Sequence, residues 1–327
     1  MFNIAKLKFD DIFENKLPEE EVREYLIELY QRGETAAEIA AAASAMRDHL
    51  IPLPVHYELK EKLIDNCGTG GDKSNSFNIS TTVSIVLASC GSYVAKHGNR
   101  SITSKSGSAD MLEALGINLS LSIENTAKML EDTGFCFMFA QNHHPAMKYI
   151  MPIRKSISHR TIFNILGPLS NPATVSKQLI GVFDKSYLNK IATALELLET
   201  KKAIVVSSND GMDEISISDI SFATKLDNGK IEDLEIDPQK YGLKLAAKEE
   251  IIGGDAKENA ETTRAILNNK VSGAKLDIVL INAAAALVVD GKARDLQDGL
   301  DIARDSIFSL KAKNKLEELI DVSSKLS

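Results

Sequence analysis

The apolar positions of the first fifty residues recur at helical spacing. Pro18 followed by Glu19, Glu20 and Glu21 makes a helix start, because proline fits a first turn and acids complement the positive end of the helix dipole. Val22, Tyr25, Leu26 and Leu29 then share one face, and Gly33 offers a stop. A second, alanine-rich run over 35–50 ends before Pro52 and Pro54. The pattern predicts helices over residues 1–65, with packing or subunit contact as their role.

From about residue 63 the texture changes. Leu63 and Ile64 open one apolar run, and further buried strands are predicted at 93–95, 135–139, 179–183, 203–206 and 277–281. Between them, helical stretches at 81–90, 109–115 and 123–133 close at Gly91, Gly116 and Gly134. Strands alternating with helices predict an α/β fold with a mostly parallel sheet covered on both faces. The polar segment 227–250, with Asn228-Gly229 and Pro238 as turn signals, reads as a surface excursion with short edge strands. Residues 300–319 read as one amphipathic helix, and no internal repeat is visible.

Composition narrows the class. At about 150 residues per domain, a chain of 327 residues suggests two units. A net charge of −8 argues against nucleic-acid and membrane-surface partners, which need a positive field. No apolar run approaches the roughly 18–20 residues that span a bilayer. Lys6 and Asp10 interrupt the start where a secretory signal would be apolar, so a cytoplasmic location is expected. Cys67, Cys90 and Cys136 form no C-x-x-C pair, which predicts neither a disulfide framework nor a zinc site.

One stretch departs from the acidic background. Residues 73–109 contain no Asp or Glu, where the overall frequency would place about five, yet they hold Lys73, Lys96, Arg100 and Lys105. Six of the nineteen glycines fall within 67–110, among many Ser, Thr and Asn. Such a segment suits a phosphate pocket, since glycines let backbone N–H groups approach an anion closely; a loop-rich surface is the plainer alternative. Asp65-Asn66-Cys67-Gly68-Thr69-Gly70-Gly71-Asp72 is a tight glycine turn, neither a P-loop nor a dinucleotide fingerprint. Ser76-Phe77-Asn78-Ile79-Ser80-Thr81 opens a helix that Ser80 or Asn78 could cap, with or without a ligand. Lys96-His97-Gly98-Asn99-Arg100-Ser101 follows a predicted strand, at the edge where α/β sheets bind ligands. Lys105-Ser106-Gly107-Ser108-Ala109-Asp110 leads into another helix start.

Farther along, Asp213-Glu214 lies beyond a predicted strand and the turn Asn209-Asp210-Gly211. Such a pair can hold Mg²⁺ through water and substrate oxygens, although paired acids are also common on surfaces. Arg154 and Arg160 offer planar forks for a carboxylate or phosphate. His143-His144 lack H-E-x-x-H spacing and predict no zinc.

In order along the chain stand DNCGTGGD, NIST, KHGNR, SKSGSAD, HHPAMKYIMPIRK, RTIFNILGPLSNP and DGMDEIS. With these motifs the sequence resembles the anthranilate phosphoribosyltransferases across essentially its whole length. The resemblance implies transfer of phosphoribose from phosphoribosyl pyrophosphate to the amine of anthranilate, with Mg²⁺, in tryptophan biosynthesis. It implies a nucleoside phosphorylase-like fold: a small helical domain of 1–65 plus about 156–178, and a larger α/β domain of 66–155 plus about 179–327. It also implies a homodimer formed through the small domains.

Carried over by position, the resemblance places Gly68, Gly71 and Asp72 in a first pyrophosphate loop and Ser76, Asn78, Ile79, Ser80 and Thr81 in a second. Lys96, His97, Gly98, Asn99, Arg100, Ser101, Ile102, Thr103 and Ser104 correspond to a loop over the phosphoribosyl group, and Ser108 to a phosphate contact. Gly68, Asn99 and Arg154 correspond to anthranilate contacts, and Ser80, Asp213 and Glu214 to metal ligands. Lys96, Ser80, Asp213 and Glu214 are the expected catalytic set. Ile157-Ser158-His159 departs from the Leu-Gly common in the family before Arg160. The attacking aromatic amine is neutral at pH 7, so no strong general base is required, and none is conspicuous. Two rival readings lack support: the signature expected of a pyrimidine nucleoside phosphorylase is absent, and a nucleic-acid-binding relative would need a basic face.

Overall fold

The computed structural model describes residues 1–101 and 105–326. Three helices open the chain, α1 (Phe2–Phe13), α2 (Glu19–Arg32) and α3 (Ala36–Asp48). The start of α3 is fixed by a capping box: Thr35 Oγ1 accepts from the Glu38 amide at 3.3 Å, and the Glu38 carboxylate accepts from the Thr35 amide at 3.0 Å. After the short α4 (Tyr57–Lys60) the alternating part begins with β1 (Leu63–Gly68), α5 (Ile79–Ser89) and β2 (Tyr93–Gly98). It continues through α6 (Ser108–Ala114), α7 (Ile123–Thr133), β3 (Phe135–Phe139), α8 (Ala140–His143) and α9 (Met147–Ser156). Then follow β4 (Lys177–Gly181), α10 (Leu188–Leu197), β5 (Lys202–Ser208), β6 (Ser221–Asp227) and β7 (Lys230–Ile236). Four helices close the described chain: α11 (Ala256–Leu267), α12 (Ala274–Asp290), α13 (Leu296–Phe308) and α14 (Lys311–Lys325).

The strands form one sheet of order β3-β2-β1-β4-β5-β6-β7, parallel through β5 and antiparallel beyond it. Alternate residues of each strand point to opposite faces. Leu179, Ile204 and Val206 join the core under α5 and α12, whereas Ile180, Ala203 and Val205 join the core shared with α1–α3 and α10. That second core also takes Ile153, Ile157, Ile162, Phe163 and Leu169 from the segment before β4. Gly68 pairs with Gly181, and Gly98 with Phe139. The carboxyl ends of β3, β2, β1 and β4 therefore lie side by side along one edge, where open α/β sheets place their ligands.

Several expectations need correction. Residues 277–281 are not a strand but the first half of α12. A short apolar run cannot separate strand from buried helix by its period, and here Ala283–Ala286 extend it to helical length. Residues 300–319 are two helices, broken where Leu310 takes a φ of 63°. Within 1–65, helix gives way after Lys60, and β1 starts at Leu63. Lys96, His97 and Gly98 belong to β2 itself, because the sheet continues past the apolar 93–95. The predicted edge excursion is a hairpin of two seven-residue strands, β6 and β7, turning at Asn228 (φ 49°) and Gly229 (φ 82°). Among the described residues, no helix is long and apolar enough to cross a membrane.

Candidate active site

The glycine turn after β1 is shaped by the loop that carries Asp213. A Cβ on Gly68 would collide with the Asp213 carboxylate, and one on Gly181 with the Asp213 backbone carbonyl. Only glycine at both positions lets this loop close onto the sheet edge. The Thr69 amide donates to the Gly181 carbonyl at 2.9 Å, and the Gly70 amide to Asp213 Oδ2 at 2.6 Å. Gly70, Gly71, Lys73 and Asn75 all have positive φ, so the turn curls back with amides unspent. Asp72 Oδ2 accepts from the Asp213 amide at 3.4 Å, and its Oδ1 from the Ser74 amide at 3.1 Å.

Asn78 is the N-cap of α5, but neither it nor Ser80 supplies a side-chain cap. The Asn78 side chain instead spans to the Ser106 carbonyl and to Asn259. Ile79 and Thr81 are buried, and Thr81 Oγ1 has no hydrogen-bond partner among the described residues. Glu214 accepts a hydrogen bond from the Ser80 backbone, so a carboxylate already sits at this helix start. Ser76 lies beside, in a bridge with Ile252.

Lys96 is fully buried in β2, with Nζ 2.8 Å from the Asn66 carbonyl and 3.4 Å from Ser80 Oγ. Burial pushes its pKa down, while Asp65 and Glu214 pull it up. Burial drives the acids the other way. Asp213 is pushed up to about 7 by desolvation and by Asp72, and Glu214 is raised by desolvation and by Asp213, with Lys96 as the opposing cation. Four acids, Asp65, Asp72, Asp213 and Glu214, thus share roughly one ammonium group, an arrangement short of positive charge. Such a set fits a divalent cation. Among the described residues no cluster of three or more His, Cys, Asp or Glu could hold a metal alone, so water and substrate oxygens would have to complete the shell, as Mg²⁺ prefers.

Next to this polar edge lies a cavity of about 410 Å³. Gly68, His97, Asn99, Met151, Arg154 and Phe163 are among its walls. Arg154, on α9, lies 5.6 Å from the Phe163 ring centroid and 3.8 Å from Met151 Sδ. Among the described residues it has no carboxylate partner, and burial pushes its pKa down. A half-buried guanidinium with spare donors is chemically suited to a carboxylate. Sequence reasoning missed Met46, His144, Asn164 and Pro168 as further lining. The last three stand inside motifs it had quoted, but Met46 arrives from α3 and carries no local signal.

Other expected site residues are placed differently. Arg100 turns outward to Asp110 at 3.0 Å and Glu113 at 2.6 Å, and its guanidinium lies over Phe139. Asp110 also accepts from the Ser101 and Gly107 amides, so this acid occupies the start of α6, where Ser108 is the first helical residue. Ile102, Thr103 and Ser104 lie outside the described residues. Arg160, unlike Arg154, stacks 3.5 Å from the Phe183 ring centroid and donates to the Gly71 carbonyl. The departing Ile157-Ser158-His159 is accommodated by packing: the His159 ring stacks on Tyr30, centroids 3.9 Å apart and planes at 16°.

Fold and site define a glycosyl transferase built from a helical bundle and an α/β domain. The family model described as "Glycosyl transferase family, a/b domain" matches residues 60–313, and "Glycosyl transferase family, helical bundle domain" matches 5–50. An anthranilate phosphoribosyltransferase of Methanobrevibacter smithii is 45% identical over 312 residues, covering 95% of this chain and 92% of its own. The crystal structure of the Thermus thermophilus enzyme of that name aligns with a TM-score of 0.93 at 36% identity, covering 99% of this chain and 96% of that one. The Saccharomyces cerevisiae enzyme in complex with PRPP and Mg gives a TM-score of 0.83 at 29% identity, covering 94% and 86%. The chain belongs to the anthranilate phosphoribosyltransferase family.

Proposed function

We propose that this protein transfers the phosphoribosyl group of phosphoribosyl pyrophosphate to the amine of anthranilate, yielding N-(5-phosphoribosyl)anthranilate and pyrophosphate in tryptophan biosynthesis. The observation that carries the reading is the adjacency of two unlike compartments. A charge-poor cavity lined by Arg154, whose guanidinium has no carboxylate partner among the described residues, opens beside a glycine turn flanked by Lys96, Asp213 and Glu214. The first suits a flat aromatic carboxylate; the second suits a diphosphate and its cation.

The residues divide the work by chemistry. Arg154 orients the anthranilate carboxylate, and Gly68 and Asn99 line the approach of its amine. Gly71, Asp72, Ser76, Asn78, Ile79, Ser80, Thr81 and Ser108 frame the donor's phosphates, and His97 and Gly98 at the end of β2, with Arg100 and Ser101 just after it, serve the phosphoribosyl group, a role that extends to Ile102, Thr103 and Ser104, which lie outside the described residues. Lys96 serves the leaving pyrophosphate, where negative charge grows as the glycosidic bond lengthens. Ser80, Asp213 and Glu214 would hold Mg²⁺, which when bound supplies further neutralisation of that leaving group. Holding both substrates in line is the larger part of the acceleration, since the amine is already nucleophilic.

The division into a helical unit of 1–65 with about 156–178 and an α/β unit of the remainder, a homodimer joined through the helical units, and a cytoplasmic location belong to the same proposal. The test is the loss of anthranilate fluorescence with phosphoribosyl pyrophosphate and Mg²⁺, each omitted in turn. Consumption only with all three supports the reading. Persistent fluorescence in the complete mixture overturns it.

A further inference from the structure

The loop from Asn75 to Asn78 is held by a stretch of chain that carries none of the site motifs. Residues 251–253 run beside it. The Phe77 amide donates to the Ile251 carbonyl at 3.1 Å, the Gly253 amide donates to the Asn75 carbonyl at 2.9 Å, and Ser76 bridges Ile252. A Cβ on Gly253 would sit 2.6 Å from Phe77 Cα, so only glycine admits this approach. The chain then enters α11, whose start is fixed by a capping box between Asp255 and Glu258. In the first turn of that helix lies Asn259, a buried amide.

The orientation of this amide is set by a group that can only donate. The Gly254 N–H gives its hydrogen to Asn259 Oδ1 at 2.8 Å, which leaves Nδ2 to donate to Asn78 Oδ1 at 2.9 Å. Ser106 Oγ donates to the same Asn78 oxygen at 3.2 Å. Asn78 Nδ2 donates to the Ser106 carbonyl, which can only accept, at 3.3 Å. Two donors therefore fill the oxygen of Asn78. Its nitrogen spends one hydrogen on Ser106, and the second has no partner among the described residues.

We propose that Asn259 is a positioning residue of the donor site, holding the Asn78 amide in the orientation that keeps an N–H for a phosphate oxygen. The role rests on the assignment of Asn78 to the donor's phosphates made above. A phosphate takes hydrogens, and an Asn78 amide turned over would offer it a carbonyl oxygen instead. Turning over would also set oxygen against the Ser106 carbonyl and nitrogen against Asn259 Nδ2. With Asn259 removed, only Ser106 resists the flip.

A second contact separates positioning from mere attachment. Thr263 Oγ1 and Thr82 Oγ1 lie 2.8 Å apart, both buried, and join the same two helices, α11 and α5, without reaching the Asn78 side chain. Thr82 keeps its bond to the Asn78 backbone carbonyl at 3.0 Å whether or not Thr263 is present.

The experiment compares variants at the two positions. Asn259→Asp keeps an oxygen for the Gly254 amide but sets a second one against Asn78 Oδ1; Asn259→Ala removes the contact outright. Calorimetric titration with phosphoribosyl pyrophosphate and Mg²⁺ should show both binding the donor about tenfold more weakly, and Thr263→Val within about twofold of the unsubstituted protein. In the fluorescence assay KM for the donor should rise in step, with KM for anthranilate unchanged. Urea denaturation reports which variants are folded. Folded Asn259 variants that bind the donor normally overturn the proposal. So does an equal loss in Thr263→Val, or failure of both Asn259 variants to fold, since either makes Asn259 a structural tie; in these cases an active unsubstituted protein leaves the transfer standing. If the unsubstituted protein neither binds the donor nor consumes anthranilate, the transfer itself fails and the positioning role with it.

Discussion

The Gly70 amide and the Asp213 carboxylate meet at 2.6 Å, joining the turn after β1 to the loop after β5. This bond fixes how far apart the two halves of the polar site stand. The glycine turn brings amides, the Asp213 loop brings acids, and the two bare glycines of β1 and β4 let them touch.

Gly181→Ala tests that closure. Its new Cβ would overlap the Asp213 backbone carbonyl, and a backbone atom cannot swing aside as a side chain can. The loop must shift, at a cost of about 1–3 kcal/mol. Urea denaturation should register that loss, and half-maximal activity should require more Mg²⁺ because Asp213 and Glu214 move with the loop. Unchanged values in both measurements would show that the contact constrains nothing.

Asp213→Asn should separate stability from activity. In the fold Asp213 titrates near 7, against 3.8 for the ordinary side chain, because burial and Asp72 oppose its charge. A raised acid binds its proton more tightly when folded, so it penalises folding as pH climbs from about 4 to 7 and fully above that. The asparagine variant should therefore be more stable at pH 8, by about 1 kcal/mol or more, with the advantage gone below pH 4. Combined with Glu214→Gln it should depress kcat about 10²-fold and demand more Mg²⁺. An unaltered metal titration would count against both ligands.

The legible parts of this chain were those with local punctuation. Pro18 and its three glutamates announce α2, and Gly134 sets the boundary between α7 and β3. Failure came where tertiary context rules. The apolar start of α12 has no polar face because other elements surround it, so its period is silent. Lys96 looks like a loop residue because lone lysines are rarely buried, yet the Asn66 carbonyl and Ser80 hydroxyl receive it inside the sheet edge. Planar-fork chemistry alone did not separate Arg154 from Arg160; only the family resemblance singled out Arg154. Their difference lies in their partners: Phe183 and Gly71 occupy Arg160, while Arg154 lies against Met151 and Phe163 and has no carboxylate partner among the described residues.

That difference yields a kinetic prediction. Arg154→Ala should raise KM for anthranilate about 10–100-fold, the loss expected for hydrogen bonds to a charged group, with KM for the sugar donor little changed. Arg160→Ala should do the opposite, since it frees the Gly71 carbonyl and loosens the glycine turn on the donor side. Steady-state kinetics with each substrate varied checks both. A donor-side effect from Arg154 would reverse the assignment.

His97 and His144, two buried rings at the wall of the cavity, should add an acid-sensitive contribution to stability. His97 and His144 hold pKa values of about 3 and about 4 in the fold, against 6.5 when unburied, because desolvation disfavours their charged forms. A lowered base binds protons less readily when folded than when unfolded. As pH falls below about 6.5 the unfolded chain takes up protons that the native rings refuse, and stability drops by about 1.4 kcal/mol per unit for each ring. The decline from His144 should end near pH 4 and that from His97 near pH 3. Asp213 regains stability over the same range, so the comparison is between proteins: in denaturation curves collected from pH 7.5 to 4.5, His144→Gln should lose less stability with acid than the unsubstituted protein, by roughly one ring's share. Equal slopes in the two proteins would mean that His144 gains its proton in the fold as easily as outside it.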